Sequence, residues 1–223
     1  MPTRMFSTLA PKVNASAPGC PYPLVVEAIR DAAIRVCERT LAWRYEQPPL
    51  TLTPGRAEYK FASPVDTVVQ AVFSASLNDS PLVAQSLDAA TERYPRWPVT
   101  TTDPDEIAGQ GSEPRAITQV GTGSFVVLPA PDAERPYELR LVYALKPSRD
   151  ATGMDEVVFN EYEDAVYHNA LQHLLVMPGV EWSDRELATY HARQYLLAVT
   201  SARAQANLTP FRATLHARAP RFA

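Results

Sequence analysis

The sequence contains few cysteines. Only Cys20 and Cys37 occur among its 223 residues. Two cysteines are too few for a disulfide framework, and their positions match no metal-binding or redox motif. Cys37 falls on the apolar side of a helical pattern, so we predict that it is a small core residue. The disulfide-rich class is therefore excluded, and neither thiol is a strong candidate nucleophile.

Long apolar runs are also missing. No stretch reaches the roughly 20 residues of a membrane-spanning helix, and residues 1–10 lack the apolar segment of a signal peptide. We therefore expect no membrane partner and synthesis in the cytoplasm. A chain of 223 residues, 46% of them hydrophobic, can bury a sizeable core without disulfides or metals.

Positive charge is scarce, and lysine especially so. The 21 basic residues are outnumbered by 25 acidic ones, and only three of the basic residues are lysines. A protein that wraps nucleic acid needs a basic face to neutralise phosphates, so the acidic balance argues against that class. Arginine binds planar carboxylates better than lysine and suits permanent protein interfaces. A compositional bias of the source genome is the alternative explanation.

Catalytic and metal-binding motifs are absent from the sequence. It has no Gly-x-Ser-x-Gly elbow, no Walker loop and no His-Glu-x-x-His pair. His168 and His173 are five residues apart, a spacing that does not place two ligands on one helical face. Asp164 and His168 are predicted to pair on a helix surface instead. We therefore predict no enzyme activity, no cofactor and no metal site.

Three segments have the periodicity of amphipathic helices. Residues 21–45 place Val25 and Ile29 on one side and Arg35 and Arg39 on the opposite, polar side, and the pattern ends before Pro48. The period returns from Val157 to the break before Pro178. The last segment runs from Ser183 towards Asn207, and Ser183 with Glu186 three residues later forms a predicted capping box.

Short β-strands are predicted between residues 50 and 145, because β-branched and alternating residues there are separated by proline and glycine. Leu50–Thr53 and Glu58–Phe61 are predicted to form a hairpin, and a polar loop is predicted at Thr100–Gly111. The other predicted strands are Val65–Leu77, Pro81–Gln85, Arg115–Val120, Ser124–Leu128 and Tyr137–Leu145. Arg115–Val120 and Ser124–Leu128 flank Gly121-Thr122-Gly123 and are predicted to form a hairpin.

This order of elements predicts an α+β fold. The N-terminal helix and two C-terminal helices form a bundle, into which an antiparallel β-sandwich or barrel-like block is inserted. The predicted domains are an N-terminal arm at 1–20, a discontinuous bundle at 21–48 and 155–208, and a β domain at 49–150. A basic C-terminal tail follows at 209–223.

Aromatic side chains within the β block leave two interpretations open. Tyr94, Trp97, Phe125 and Tyr143 are predicted to form its core, and the alternative is a platform on which a sugar or base stacks. The core interpretation is favoured because aromatic residues in a small β domain usually fill its interior.

Several motifs in a fixed order resemble one family. They are Pro95-x-Trp97, Pro114-x-x-Ile117, the run Leu128-Pro129-Ala130-Pro131-Asp132, and Leu139-x-Leu141-x-Tyr143-x-x-x-Pro147, followed by two helices around Pro178. Together they resemble the head-to-tail adaptor family of tailed bacteriophages and are similar to the tail tubular protein A class of short-tailed phages. The resemblance covers residues 22–207, and the acidic loop at Thr100–Gly111 departs from it by its length.

The resemblance implies a structural virion protein at the head-to-tail junction. Family members form rings, commonly twelvefold, between the portal and the tail nozzle or tube protein. Such a ring extends the channel through which genomic DNA passes without sequence-specific binding, during packaging retention and ejection. The alternatives are another tail-completion or nozzle component, or a host-surface module that binds glycans through aromatic residues of the β block.

Two sets of residues are expected to carry this role. No acidic residue follows Glu186, so the basic C-terminal region is a hypothetical surface for the portal or a neighbouring subunit. That surface comprises Arg193, Arg203, Phe211, Arg212, His216, Arg218, Arg221 and Phe222. The core motif of the β domain comprises Trp97, Phe125, Leu128, Pro129, Pro131 and Tyr143.

Overall fold

The computed structural model describes residues 2–93 and 112–207, and these residues confirm the predicted α+β class. The α-helices are α1 (Ala10–Ser16), α2 (Tyr22–Thr40), α3 (Leu87–Arg93), α4 (Glu156–Glu161), α5 (Glu163–Leu175) and α6 (Arg185–Asn207). The strands are β1 (Thr3–Met5), β2 (Arg44–Glu46), β3 (Leu50–Thr51), β4 (Glu58–Lys60), β5 (Thr67–Leu77), β6 (Ser80–Pro81), β7 (Val83–Gln85), β8 (Ala116–Val120), β9 (Ser124–Leu128), β10 (Glu138–Pro147) and β11 (Gly153–Asp155). The predicted loop at Thr100–Gly111 and the predicted tail at 209–223 lie outside the described residues.

Helix α2 has the amphipathic pattern that the sequence predicts. Val25, Ile29 and Val36 lie on one side and are buried. The helix ends earlier than predicted, because Leu41 takes a left-handed backbone conformation with φ of 53° and its N–H bonds to the Cys37 carbonyl. Residues 44–46, which the helical pattern included, instead form β2.

The C-terminal helical region differs from the sequence prediction in two ways. The segment from residue 157 is divided into α4 and α5 at Tyr162, whose φ of -110° leaves the helical region. The prediction that Ser183 caps α6 is wrong. Asp184 caps the helix, because its Oδ1 accepts a hydrogen bond of 2.9 Å from the Leu187 N–H, whereas the Ser183 hydroxyl donates to the Leu175 carbonyl.

Strands β2 to β10 form two open sheets among the described residues. One has the order β2-β10-β5-β6, with β3 also paired to β10, and the other has the order β4-β9-β8-β7. Strands β8 and β9 form the hairpin that the sequence predicts. The predicted hairpin of Leu50–Thr53 with Glu58–Phe61 is wrong, because β3 pairs with β10 and β4 pairs with β9. Strands β7 and β8 are parallel.

The N-terminal residues pack against the segment that precedes α4. Strand β1 pairs with β11 in antiparallel register, with Arg4 opposite Met154. Phe6 and Val13 follow and are fully buried. One cluster of buried side chains extends from these residues through α2, α5 and α6 into β10. The domain boundaries stay a prediction.

Candidate functional site

An aromatic cluster joins the two sheets. The Phe61 ring lies 4.9 Å from that of Phe125 on β9 and 5.1 Å from that of Tyr143 on β10, between centroids. Tyr59 on β4 stacks on Phe125 at 5.8 Å. Phe125 and Tyr143 are completely buried. These two rings therefore have no face free for a sugar or base.

The remaining motif residues lie at the end of β9. Leu128 is buried beside Ala90 and Ala116, and the peptide bond between Leu128 and Pro129 is cis. Pro131 is buried, and its carbonyl accepts a hydrogen bond of 2.8 Å from the Gly55 N–H. This contact ties the chain after β9 to the turn before β4. Trp97 and Tyr94 lie outside the described residues.

Helix α6 carries the described part of the predicted basic surface. Arg193 and Arg203 are both exposed on it. Three large apolar or aromatic side chains, Tyr190, Leu196 and Leu197, are also more than half exposed. The other predicted interface residues lie outside the described residues: Phe211, Arg212, His216, Arg218, Arg221 and Phe222.

A cavity that sequence reasoning missed lies between α2, α5 and α6. We call it the arginine trough. It has a volume of about 290 Å³. Its defining residues are Arg35 and Arg39 from α2, Asn169 and His173 from α5, and Tyr195 and Leu196 from α6.

Three residues that line the arginine trough each have a buried polar atom without a hydrogen-bond partner among the described residues. The atoms are Arg35 Nη1, Asn169 Oδ1 and the Tyr195 hydroxyl. Asn169 is 2% exposed and Tyr195 is 4% exposed. Buried polar atoms almost always have a partner in native proteins, and leaving one without a partner costs about 1–3 kcal/mol. The packing of α2, α5 and α6 therefore leaves three polar atoms unsatisfied inside the folded chain.

The electrostatic character of the trough is positive. The Arg39 guanidinium carbon lies 5.7 Å above the Tyr195 ring. Burial lowers the pKa of His173, and the charge of Arg35 lowers it further while Asp31 opposes the shift. Burial raises the pKa of Tyr195, so its hydroxyl remains a donor. Glu38 forms an ion pair with Lys146, with 2.7 Å between Oε1 and Nζ, so the negative charge of Glu38 is partly neutralised.

A second cavity continues the trough along α5 and α6. It shares Gln172, His173 and Ala192 with the first and adds Val176, Arg185, Ala188 and Thr189. Arg185 thus extends the basic lining to the start of α6.

Two histidines connect α5 to α6 beside the trough. His168 Nδ1 and His191 Nδ1 lie 2.7 Å apart. The sequence-based prediction paired His168 with Asp164, but Asp164 forms its ion pair with Lys12 at 3.6 Å. Within residues 2–93 and 112–207, no group of three histidine, cysteine, aspartate or glutamate side chains could hold a metal ion. In the same ranges, no helix is long and apolar enough to cross a membrane.

The described residues form a helical region with two inserted sheets, and Arg193 and Arg203 are exposed on its last helix. The model of the SU10 adaptor protein family matches residues 6–218. The chain belongs to this family, which is consistent with the head-to-tail adaptor resemblance seen in the sequence. No curated protein matches the chain. It is therefore a phage structural adaptor of the virion that interacts with other head or tail proteins.

A signal for the arginine trough is visible in hindsight. Arg35 and Arg39 are four residues apart and therefore share one face of α2. The sequence assigned both to the polar side of that helix. Because α5 and α6 pack against α2, this part of its polar side lines a cavity. Helical periodicity in the sequence does not predict such packing.

Proposed function

We propose that this protein forms a head-to-tail adaptor ring that joins the portal to the tail nozzle. The match of residues 6–218 to the adaptor family carries the proposal. The ring contains about twelve copies, as the resemblance of the sequence implies. It extends the channel for genomic DNA and provides a platform for the next tail component, without chemical activity of its own.

Charge and surface composition support a role in which DNA passes but is not held. The net charge is -4, and like charge along a channel lowers the affinity for a moving polyanion. The exposed apolar residues Leu196 and Leu197 on α6 are typical of a surface that another protein covers. Both features fit a subunit whose partners are proteins.

Mass photometry and negative-stain imaging of the purified chain, alone and with the portal of its own phage, test the proposal. We expect rings on the portal. A chain that stays monomeric and leaves the portal free at concentrations of about 10 µM, well above typical assembly affinities, would contradict it. A portal from an unrelated phage is the control for non-specific adhesion.

The tail at 209–223 is proposed to bind the portal. Its sequence contains Arg212, Arg218 and Arg221 and no acidic residue, so acidic portal side chains are suitable partners. Deleting Thr209–Ala223 should weaken portal binding. Portal binding at the wild-type level would overturn this part of the proposal and leave the adaptor role intact.

The host-surface glycan module is less well supported. Phe125 and Tyr143 are fully buried between the two sheets, so they cannot stack on a sugar in this fold. A glycan-binding screen with the full chain distinguishes this alternative from the adaptor role. Sugar-dependent tryptophan fluorescence would favour it.

A further inference from the structure

We propose that the free chain forms a two-fold dimer in which α6 packs antiparallel against α6 of a second copy. The contact surface is the outer face of α6, which we define by Glu186, Tyr190, Arg193 and Leu197. The inference goes beyond the proposed ring, because it concerns the protein before it reaches the portal.

The outer face lies opposite the buried side of α6. Successive residues of an α-helix are rotated by about 100°, so residues three, four and seven apart share a face. The four residues of the outer face follow that spacing, and all of them are exposed. They lie about half a turn away from the buried side, which comprises Ala188, His191, Tyr195, Val199 and Ala202.

Exposed apolar surface is concentrated on this helix. Tyr190 is 51% exposed and Leu197 is 66% exposed, and the neighbouring Leu196 is also more than half exposed. In the described part of the chain, no other helix carries more than one exposed large hydrophobic side chain. Such a concentration is typical of a surface that another protein covers.

Two residues of opposite charge flank Tyr190 on the outer face. Glu186 lies four residues before Tyr190, and Arg193 lies three residues after it. Within residues 2–93 and 112–207, neither charged side chain forms an ion pair or a hydrogen bond. Both charges are therefore available to a second copy.

The order of these charges selects an antiparallel contact about a two-fold axis. When the second α6 runs in the opposite direction with Tyr190 beside the axis, Glu186 of each copy lies opposite Arg193 of the other. A parallel contact in the same register would place Glu186 against Glu186 and Arg193 against Arg193, and like charges oppose association. The outer face is therefore complementary to itself, which is what a two-fold contact requires.

The side chain of Tyr190 is supported from within its own chain. Its ring centroid lies 5.2 Å from that of His191 and 6.4 Å from that of His168. These contacts leave half of the side chain exposed at the centre of the outer face. A tyrosine in this position provides a large contact area at a low cost in conformational entropy, and Leu197 extends the apolar contact on each side of the axis.

The expected dimer is weak and reversible. The outer face extends along about 17 Å of helix, so the contact is smaller than a standard protein interface. We therefore expect a dissociation constant of about 10–100 µM. Neighbouring subunits of a cyclic ring are not related by a two-fold axis, so the dimer has to dissociate before a ring forms. It covers the apolar surface of α6 until the chain assembles.

Charge reversal tests the contact in the full-length chain, by sedimentation equilibrium at about 1–200 µM. Glu186→Arg and Arg193→Glu should each weaken dimerisation about tenfold or more, because each creates two pairs of like charges across the axis. The double variant E186R/R193E should restore dimerisation, since opposite charges face each other again with their positions exchanged. Arg203→Glu, at an exposed position of α6 outside the outer face, is the matched control.

Disulfide cross-linking tests the two-fold axis itself. Tyr190→Cys should form a covalent dimer on oxidation, because only a residue beside a two-fold axis lies opposite its own copy. Arg203→Cys, which is exposed on the same helix, should cross-link much less. The native Cys20 and Cys37 are buried, and the wild-type chain gives the background. Thermal melting shows that each variant folds.

Each outcome decides for or against the dimer, separately from the adaptor role. A wild-type chain that is monomeric at about 200 µM, or single variants that dimerise as the wild type does, would overturn the dimer. Two weakened single variants without restoration in the double variant would also overturn it. Cross-linking of Tyr190→Cys no stronger than that of Arg203→Cys would contradict the two-fold axis. Dimers without rings on the portal would support the dimer and contradict the proposed function, whereas rings from a chain that never dimerises would do the reverse.

Discussion

The Nδ1 atoms of His168 and His191 lie 2.7 Å apart and connect α5 to α6. One of the two nitrogens must accept the hydrogen bond, so at least one ring is neutral. Burial lowers the pKa of His168, and burial together with the charge of His168 lowers the pKa of His191. Protonation of both rings therefore opposes the packing of these two helices.

We predict that the folded protein loses stability as the solution becomes acidic. The ordinary histidine pKa is 6.5, and the folded-state values are lower, so the unfolded chain binds protons more readily. Stability is therefore fully present above about pH 6.5 and decreases as the pH falls through the lowered folded-state values. Urea unfolding at pH 7.5 and at about pH 5.5 measures the difference.

The variant His191→Gln removes one of the titrating groups and should reduce this pH dependence. His173 has a lowered pKa as well, so part of the dependence should remain. An unchanged difference between the two pH values would show that the histidine pair does not contribute. Tyr190→Phe, at an exposed neighbour of the pair, controls for local changes of packing.

The start of α6 offers a test of its capping residue. Asp184→Ala removes the acceptor of the Leu187 N–H and should cost about 0.5–2 kcal/mol of stability. Ser183→Ala removes a hydrogen bond of 3.3 Å to the Leu175 carbonyl and should cost less. The free energies of unfolding compare the two, and a larger loss for Ser183→Ala would favour the capping box predicted from the sequence.

Local patterns in the sequence predicted the positions of helices and strands better than the pairing between strands. Helix α2 was predicted because Val25, Ile29 and Val36 repeat with the helical period. The β8–β9 hairpin was predicted because Gly121 and Gly123 lie between two apolar strands. The pairing of β3 with β10 joins residues far apart in sequence. No turn signal specifies such a pair, so adjacent strands were wrongly assigned to one hairpin.

The arginine trough shows the same limitation for the candidate site. Arg35 and Arg39 were predicted to lie on the polar side of α2, but their proximity to Asn169 and Tyr195 depends on how three helices pack. The exposed position of Arg193 agrees with an amphipathic α6. Contacts between residues of different helices can be identified only from the three-dimensional fold.

Gly153 is required where β11 approaches β1. A Cβ atom at this position would overlap the carbonyl oxygen of Arg4, and backbone cannot move aside as a side chain can. Gly153→Ala should therefore separate the two strands and cost about 1–3 kcal/mol. Gly123→Ala is the control, because a Cβ there has no neighbour within 4 Å. Equal unfolding free energies for the two variants would contradict the close approach.

The aromatic cluster between the two sheets should determine the stability of the β region. Phe125 is fully buried and contacts both Tyr59 and Phe61, so Phe125→Ala leaves a cavity and should cost about 3–5 kcal/mol. Phe73→Ala is the matched control, since Phe73 is 38% exposed and its ring centroid lies 4.2 Å from the Arg44 guanidinium carbon. Its loss should be closer to the ~0.5–1 kcal/mol of an exposed cation–π contact. Urea unfolding measures both variants, and a Phe125→Ala protein as stable as the wild type would show that the cluster does not hold the two sheets together.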